Sequence, residues 1–106
     1  MAGAVYSAVL ARGTFTVTGG DLLFHVPVGE TWVVRDVAVV NASGSTVIVA
    51  LYHPSDVSNI YRNPALADGA FDHWVGRQVV EQDEDLNYYT NFQPVRFCVS
   101  GYKFIG

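Results

Sequence analysis

Along most of the chain, apolar and polar side chains alternate with a period of two, in runs of five to eleven residues separated by Gly, Pro, Asn, Asp and Ser. Such runs read as strands, because neighbouring side chains on an extended backbone point to opposite faces. The runs predict strands near Val5–Leu10, Thr14–Thr18, Leu22–Val26, Thr31–Asn41, Thr46–Tyr52, Gly76–Val80, Leu86–Thr90 and Val95–Phe104. Val, Thr, Tyr, Phe and Ile are abundant and helix formers sparse, so the chain reads as all-β. About eight antiparallel strands in one unit, residues 1–106, predict a single β-sandwich of jelly-roll type.

Two strands depart from a clean in/out pattern. In Thr31–Asn41, strict alternation puts Trp32, Val34, Asp36, Ala38 and Val40 on one face and Thr31, Val33, Arg35, Val37 and Val39 on the other. Both faces are then apolar, with one charge each. Val47, Val49 and Leu51 alternate with Ile48, Ala50 and Tyr52 in the same way. A strand of this kind is either central in a packed sheet or covered by a neighbouring subunit. Residues 53–74 carry no strand signal and read as a long loop of interaction type, with one helical turn at Pro64–Asp68.

Composition sharpens the expectation of covered surface. Half of the 106 residues are hydrophobic and only 15% are charged, against about a quarter in an average soluble domain. Mean hydropathy is +0.22. A chain this small cannot hide much of itself, so other chains are expected to cover part of its surface. A net charge of -4 supplies no basic stripe for phosphate, which argues against nucleic acid as a partner. Plentiful Val, Leu, Ile and Phe exclude disorder. Met1–Ala4 does not read as a secretion signal, and the uncharged stretch from Val37 to Ser55 is broken by a polar turn, so no membrane insertion is expected. The single cysteine, Cys98, allows no internal disulfide, which suits synthesis in a reducing compartment; it reads as a buried small apolar side chain.

No catalytic signature is present. His25, His53 and His73 are scattered without metal-ligand spacing, which also weighs against a cupin-type enzyme, and no metal or other cofactor is expected. Asp72 and His73 are adjacent and should face opposite ways. Glu81, Asp83, Glu84 and Asp85 read as a solvated hairpin tip rather than a calcium loop or a carboxylate pair. The aromatic residues are the remaining candidates: Trp32, Phe71, Trp74, Tyr88, Tyr89 and Phe92 are expected to anchor an interface or, as the alternative, to stack on a host surface glycan. Tyr88 and Tyr89 must point to opposite faces.

The run Val26-Pro27-Val28-Gly29-Glu30-Thr31-Trp32-Val33-Val34-Arg35-Asp36-Val37, its Asn-Ala-Ser-Gly-Ser turn and the closing Val99-Ser100-Gly101-Tyr102 resemble small virion proteins of tailed bacteriophages. The resemblance covers most of the chain. The Glu81–Asp85 turn departs from it, standing where a Gly-Asp hairpin is expected. It implies a compact β-sandwich, trimeric or ring-forming, located in the virion. The resulting expectation is a non-enzymatic structural subunit of the tail, a minor tail protein, with itself and other virion proteins as partners. Capsid decoration and a carbohydrate-binding module for host adsorption are the alternatives.

Overall fold

A computed structural model describes residues 4–53 and 59–106. Eight strands follow in order: β1 (Ala4–Phe15), β2 (Gly19–His25), β3 (Glu30–Asn41), β4 (Val47–Tyr52), β5 (Asn59–Leu66), β6 (Phe71–Val80), β7 (Asp85–Thr90) and β8 (Val95–Ile105). They form two four-stranded sheets, ordered β1-β8-β3-β6 and β2-β7-β4-β5, and every pairing is antiparallel. Strands adjacent in sequence repeatedly cross to the other sheet, which gives the jelly-roll winding. The expected all-β sandwich of eight strands is the fold observed.

The strand boundaries differ from expectation at both ends. Val5–Leu10 and Thr14–Thr18 are not two strands: Gly13 sits inside β1 as a regular ladder residue paired with Phe97 of β8. Within the expected loop 53–74, residues 59–66 form β5 and residues 71–74 open β6; residues 54–58 lie outside the described residues. Pro64 starts no helical turn but lies in β5, an edge strand where a missing N–H is tolerated. The offset of one strand lost and one gained leaves the count at eight.

The core lies between the sheets. Phe15, Val26, Val34, Val37, Val39, Leu51, Leu86, Val95 and Val99 are all but inaccessible to solvent. Phe15 is stacked between Tyr88 and Phe97, with ring centroids 3.8 and 4.3 Å away. The two apolar faces expected of β3 have a different explanation. Its register slips by one residue between Val34 and Asp36, against both β8 and β6. Trp32 and Val34 therefore share the core face with Val37, Val39 and Asn41, while Val33, Arg35, Asp36, Ala38 and Val40 point out. A bulge restores a single buried face to a strand that looked two-sided.

A carboxylate ties the sheets together at one open side. Asp72, on the core side of β6, accepts hydrogen bonds from Tyr61 Oη (2.8 Å) and Asn63 Nδ2 (2.9 Å) on β5, and its other oxygen accepts the His73 amide. These donors, Tyr61 first, hold the Asp72 pKa below the ordinary carboxylate value, while burial and the facing carboxylate push the Tyr61 hydroxyl up. A depressed carboxyl stabilises the fold above its ordinary value and loses that contribution as pH falls through the lower folded value. Asp72→Asn should therefore cost about 2 kcal/mol at neutral pH. In acid denaturation followed by circular dichroism, the gap to wild type should narrow as pH drops below 3.8; a gap constant with pH would contradict the assignment.

Candidate functional site

The six candidate aromatics do not share a surface. Trp32 and Tyr88 are core residues, 7% and 6% exposed, and so cannot serve as surface anchors. The bulge in β3 keeps Trp32 inside, where its Nε1 donates to Glu30 Oε1 (2.9 Å) and Lys103 Nζ lies 4.2 Å from the ring centroid. Tyr88 faces inward from β7 and stacks on Phe15, and Tyr89 accordingly points out of the opposite sheet. Trp74 is half-buried against the core and lies over Gly76, whose missing side chain makes room for the indole. Phe92 is exposed in the β7–β8 connection. Phe71 alone stands on the outer face of the β1-β8-β3-β6 sheet, 65% exposed.

That outer face is the most apolar surface of the described residues. Following the register from one end to the other, Val5, Phe104 and Thr31 lie side by side, then Tyr102, Val33 and Val79, then Val9, Ser100, Asp36 and Val75. Arg12, Cys98, Ala38 and His73 come next, and Thr14, Arg96, Val40 and Phe71 close the far end. Val5, Val9, Val75, Tyr102 and Phe104 are exposed large hydrophobics, and Val33, although it points outward, is covered by its neighbours. Near the centre, His73 Nε2 meets Asp36 Oδ1 at 3.3 Å. Shallow hollows interrupt the face: one of about 350 Å³ among Val33, Arg77, Val79 and Phe104, and one of about 190 Å³ among Ala38, Val40, Arg96 and Cys98. Cys98 is thus half-buried on this face rather than buried in the core.

Sequence reasoning missed Val5, Val9, Val75, Tyr102 and Phe104 as surface residues. A signal existed in the alternation Phe71, His73, Val75, Arg77, Val79, which marks one face of β6. It was hidden because that strand was expected to begin only at Gly76.

The acidic turn is not the expected hairpin tip: β6 and β7 belong to different sheets, so residues 81–84 cross from one sheet to the other, with Asp83 in the left-handed region (φ 61°), and the crossing is fastened to the rest of the sandwich. Asp83 N donates to Val26 O, Val26 N to Glu84 O, and Gly29 N to Gln82 Oε1, all within 2.8–2.9 Å. His25 bridges Asp85 (Nδ1, 2.5 Å) and Asp83 (Nε2, 3.2 Å), and His53 Nε2 meets Glu84 Oε2 at 3.0 Å. The Asp85 hydrogen bond outweighs desolvation and, with Asp83, raises the His25 pKa. The tether it supplies is complete below the ordinary imidazole value and is lost as pH rises through the higher folded one. No group of three or more His, Cys, Asp or Glu among the described residues is arranged to hold a metal ion. Asp72 and His73 face opposite sides of β6, as their adjacency requires.

No protein-family model matches the chain, and no curated protein does. Among solved structures, the fold is similar to a chain of the T13 viral particle of infectious bursal disease virus, with a TM-score of 0.58 and 13% identity over 99% of this chain and 31% of that one. The present chain therefore spans about a third of that viral chain's length. It is also similar to a chain from the acid-stable capsid of Helicobacter pylori bacteriophage KHP30, with a TM-score of 0.57 and 15% identity over 97% of this chain and 93% of that one. A third similar structure is a Bacillus endospore appendage, one of a family of disulfide-linked pili, with a TM-score of 0.52 and 6% identity over 97% and 89% of the two chains. The shared feature is the fold, a β-sandwich found in viral particles and in a pilus.

Proposed function

We propose that this chain is a non-enzymatic structural subunit of a bacteriophage virion, one that assembles with copies of itself and with other virion proteins. The observation that carries the reading is the outer face of the β1-β8-β3-β6 sheet, an apolar surface spanning four strands and interrupted by few charges. Patches of this extent on a small soluble domain mark association surfaces. The near-complete mutual coverage with a phage capsid chain favours a place on the capsid, as a decoration subunit, over the tail. The tail expectation leaned on a long loop at 53–74 as a contact for several unlike neighbours. Strands β5 and β6 now occupy most of that segment.

Fractionation of purified particles into heads and tails, with the chain detected by antibody, tests the reading. Recovery with the heads is expected. Recovery with tails alone would restore the minor tail reading, and absence from both would overturn a virion role.

A further inference from the structure

We infer that the outer face of the β1-β8-β3-β6 sheet docks on the same face of a second copy of this chain, about a two-fold axis running along the strands. The inference rests on the proposed role as an assembling subunit and names the contact that role would use. Three arguments select the occupant and the axis.

Charge separates this face from the rest of the molecule. It carries Arg12, Arg35, Arg77 and Arg96 against Asp36 and Glu81, whereas the remaining residues hold eight acids against Arg62 and Lys103. Two copies meeting through their other surfaces bring acid against acid, a net -6 (two bases less eight acids) on each. Through this face each presents a net +2 (four Arg less two acids) on an apolar surface, where like-charge repulsion is smaller.

Size agrees with this choice. Strands of ten to twelve residues in a four-stranded sheet give a face about 35 Å long and about 19 Å wide, a flat area of roughly 700 Å² before side-chain relief. A stable interface of standard size takes about 800 Å² from each partner. The face of a second copy therefore supplies an apolar surface of the area required, and sheets pack well when their strands run nearly aligned.

The axis follows from the register. A two-fold across the strands would set Asp36 on the partner's Asp36, two carboxylates in a closing apolar contact. A two-fold along the strands lays β1 over the partner's β6 and β8 over the partner's β3. Val9 then meets the partner's Val75, Tyr102 the partner's Val33 and Cys98 the partner's Ala38. Asp36 comes opposite the partner's Ser100, a hydroxyl that can donate to it. None of the six charged side chains lies opposite one of its own sign. Such a contact is isologous, each pairing occurring twice, and it closes at two copies.

Sedimentation velocity over a concentration series tests the inference, with the 11.6 kDa chain expected at twice that mass. Val9→Glu/Val75→Glu places charge on two exposed positions clear of the core, and should weaken the dimer by about a hundred-fold or more, since each carboxylate would be buried unpaired. Leu22→Glu/Val28→Glu, equally exposed on β2 and the β2–β3 turn, should leave the mass unchanged. A second readout needs no substitution: maleimide labelling of Cys98, the single thiol, should slow by at least ten-fold as concentration rises through the dimer's dissociation range. An association that survives Val9→Glu/Val75→Glu, that is lost instead in Leu22→Glu/Val28→Glu, or that is trimeric or open-ended overturns this contact while leaving the assembling role in place. A chain that stays monomeric throughout, with Cys98 labelled at one rate, overturns the contact, and the particle fractionation then decides the role independently.

Discussion

Gly101→Ala is expected to destabilise the protein by roughly 3 kcal/mol or more, a large part of what a domain of this size has. Gly101 lies on the core face of β8, directly beside the register slip of β3. There the β3 backbone presses so closely that a Cβ at 101 would overlap the Val33 carbonyl oxygen and approach the Arg35 amide nitrogen to 3.1 Å. Both neighbours are main chain, held by the ladder on either side, so neither can swing away as a side chain could. The methyl group is accommodated only by pushing β3 and β8 apart at the middle of the sheet, which breaks ladder hydrogen bonds on both sides of the bulge. Ser100→Ala, one residue earlier and on the outer face, should change stability by no more than about 0.5 kcal/mol. Urea unfolding followed by tryptophan fluorescence measures both. A Gly101→Ala variant within about 1 kcal/mol of wild type would mean that the close approach of β3 relaxes cheaply.

Asn41→Ala is the second large effect, expected at about 3 kcal/mol. Asn41 is fully buried at the end of β3, a position where an unpartnered amide would be costly. Its Nδ2 donates to Ser45 O at 2.6 Å and Leu66 O at 2.9 Å, and its Oδ1 accepts from Ser43 N at 2.9 Å. Its backbone also takes part, with its N–H donating to Ala70 O and its carbonyl accepting from Gly69 N. One side chain thus fastens the β3–β4 turn and the end of β5, while its main chain holds the β5–β6 turn. Alanine removes three side-chain hydrogen bonds and leaves the buried Leu66 carbonyl without its donor, while Ser45 O, on the exposed turn, keeps the hydroxyl of Ser43. Thermal unfolding should show the loss, and hydrogen exchange should show it first at the β3–β4 turn and the end of β5. Uniform exchange across the molecule would place the damage elsewhere.

How much of this was legible in the sequence depends on where the backbone departs from regularity. The all-β class, the sandwich, and the bounds of β3, β4, β7 and β8 follow from alternation and turn residues, because these strands are regular over most of their length. The slip at Val34–Asp36 was invisible for a definite reason. With Val at 33, 34, 37, 39 and 40, either phase of alternation yields an apolar face, so composition cannot report where the phase changes. Strand β5 was hidden by Asn59, Asn63 and Pro64, residues that interrupt a central strand but are compatible with an edge one. Gly13 looked like punctuation and is instead an ordinary ladder residue, paired with Phe97 inside β1.

The candidate site was legible in kind more than in place. An excess of apolar surface over charge pointed to a covered face, yet it was sought on β3 and β4 and among aromatic side chains. The face lies on the outside of one sheet and is made largely of Val, spread over β1, β3, β6 and β8. Those strands are far apart in sequence and adjacent only in the fold. Of the six aromatics, three went into or against the core because a large ring gains most from burial there.

The position of β8 in the sheet order carries a consequence for the timing of synthesis. It lies between β1 and β3, so β1 and β3 cannot be joined through hydrogen bonds until β8 leaves the ribosome. Until then β1 has no neighbour in its sheet, and contacts between such distant segments form slowly. A nascent or prematurely terminated chain lacks Tyr102 and Phe104 and has no continuous outer face to offer another copy. Strand order thus works as a completeness check, by which only a chain translated through its eighth strand can close this sheet and form its continuous outer face.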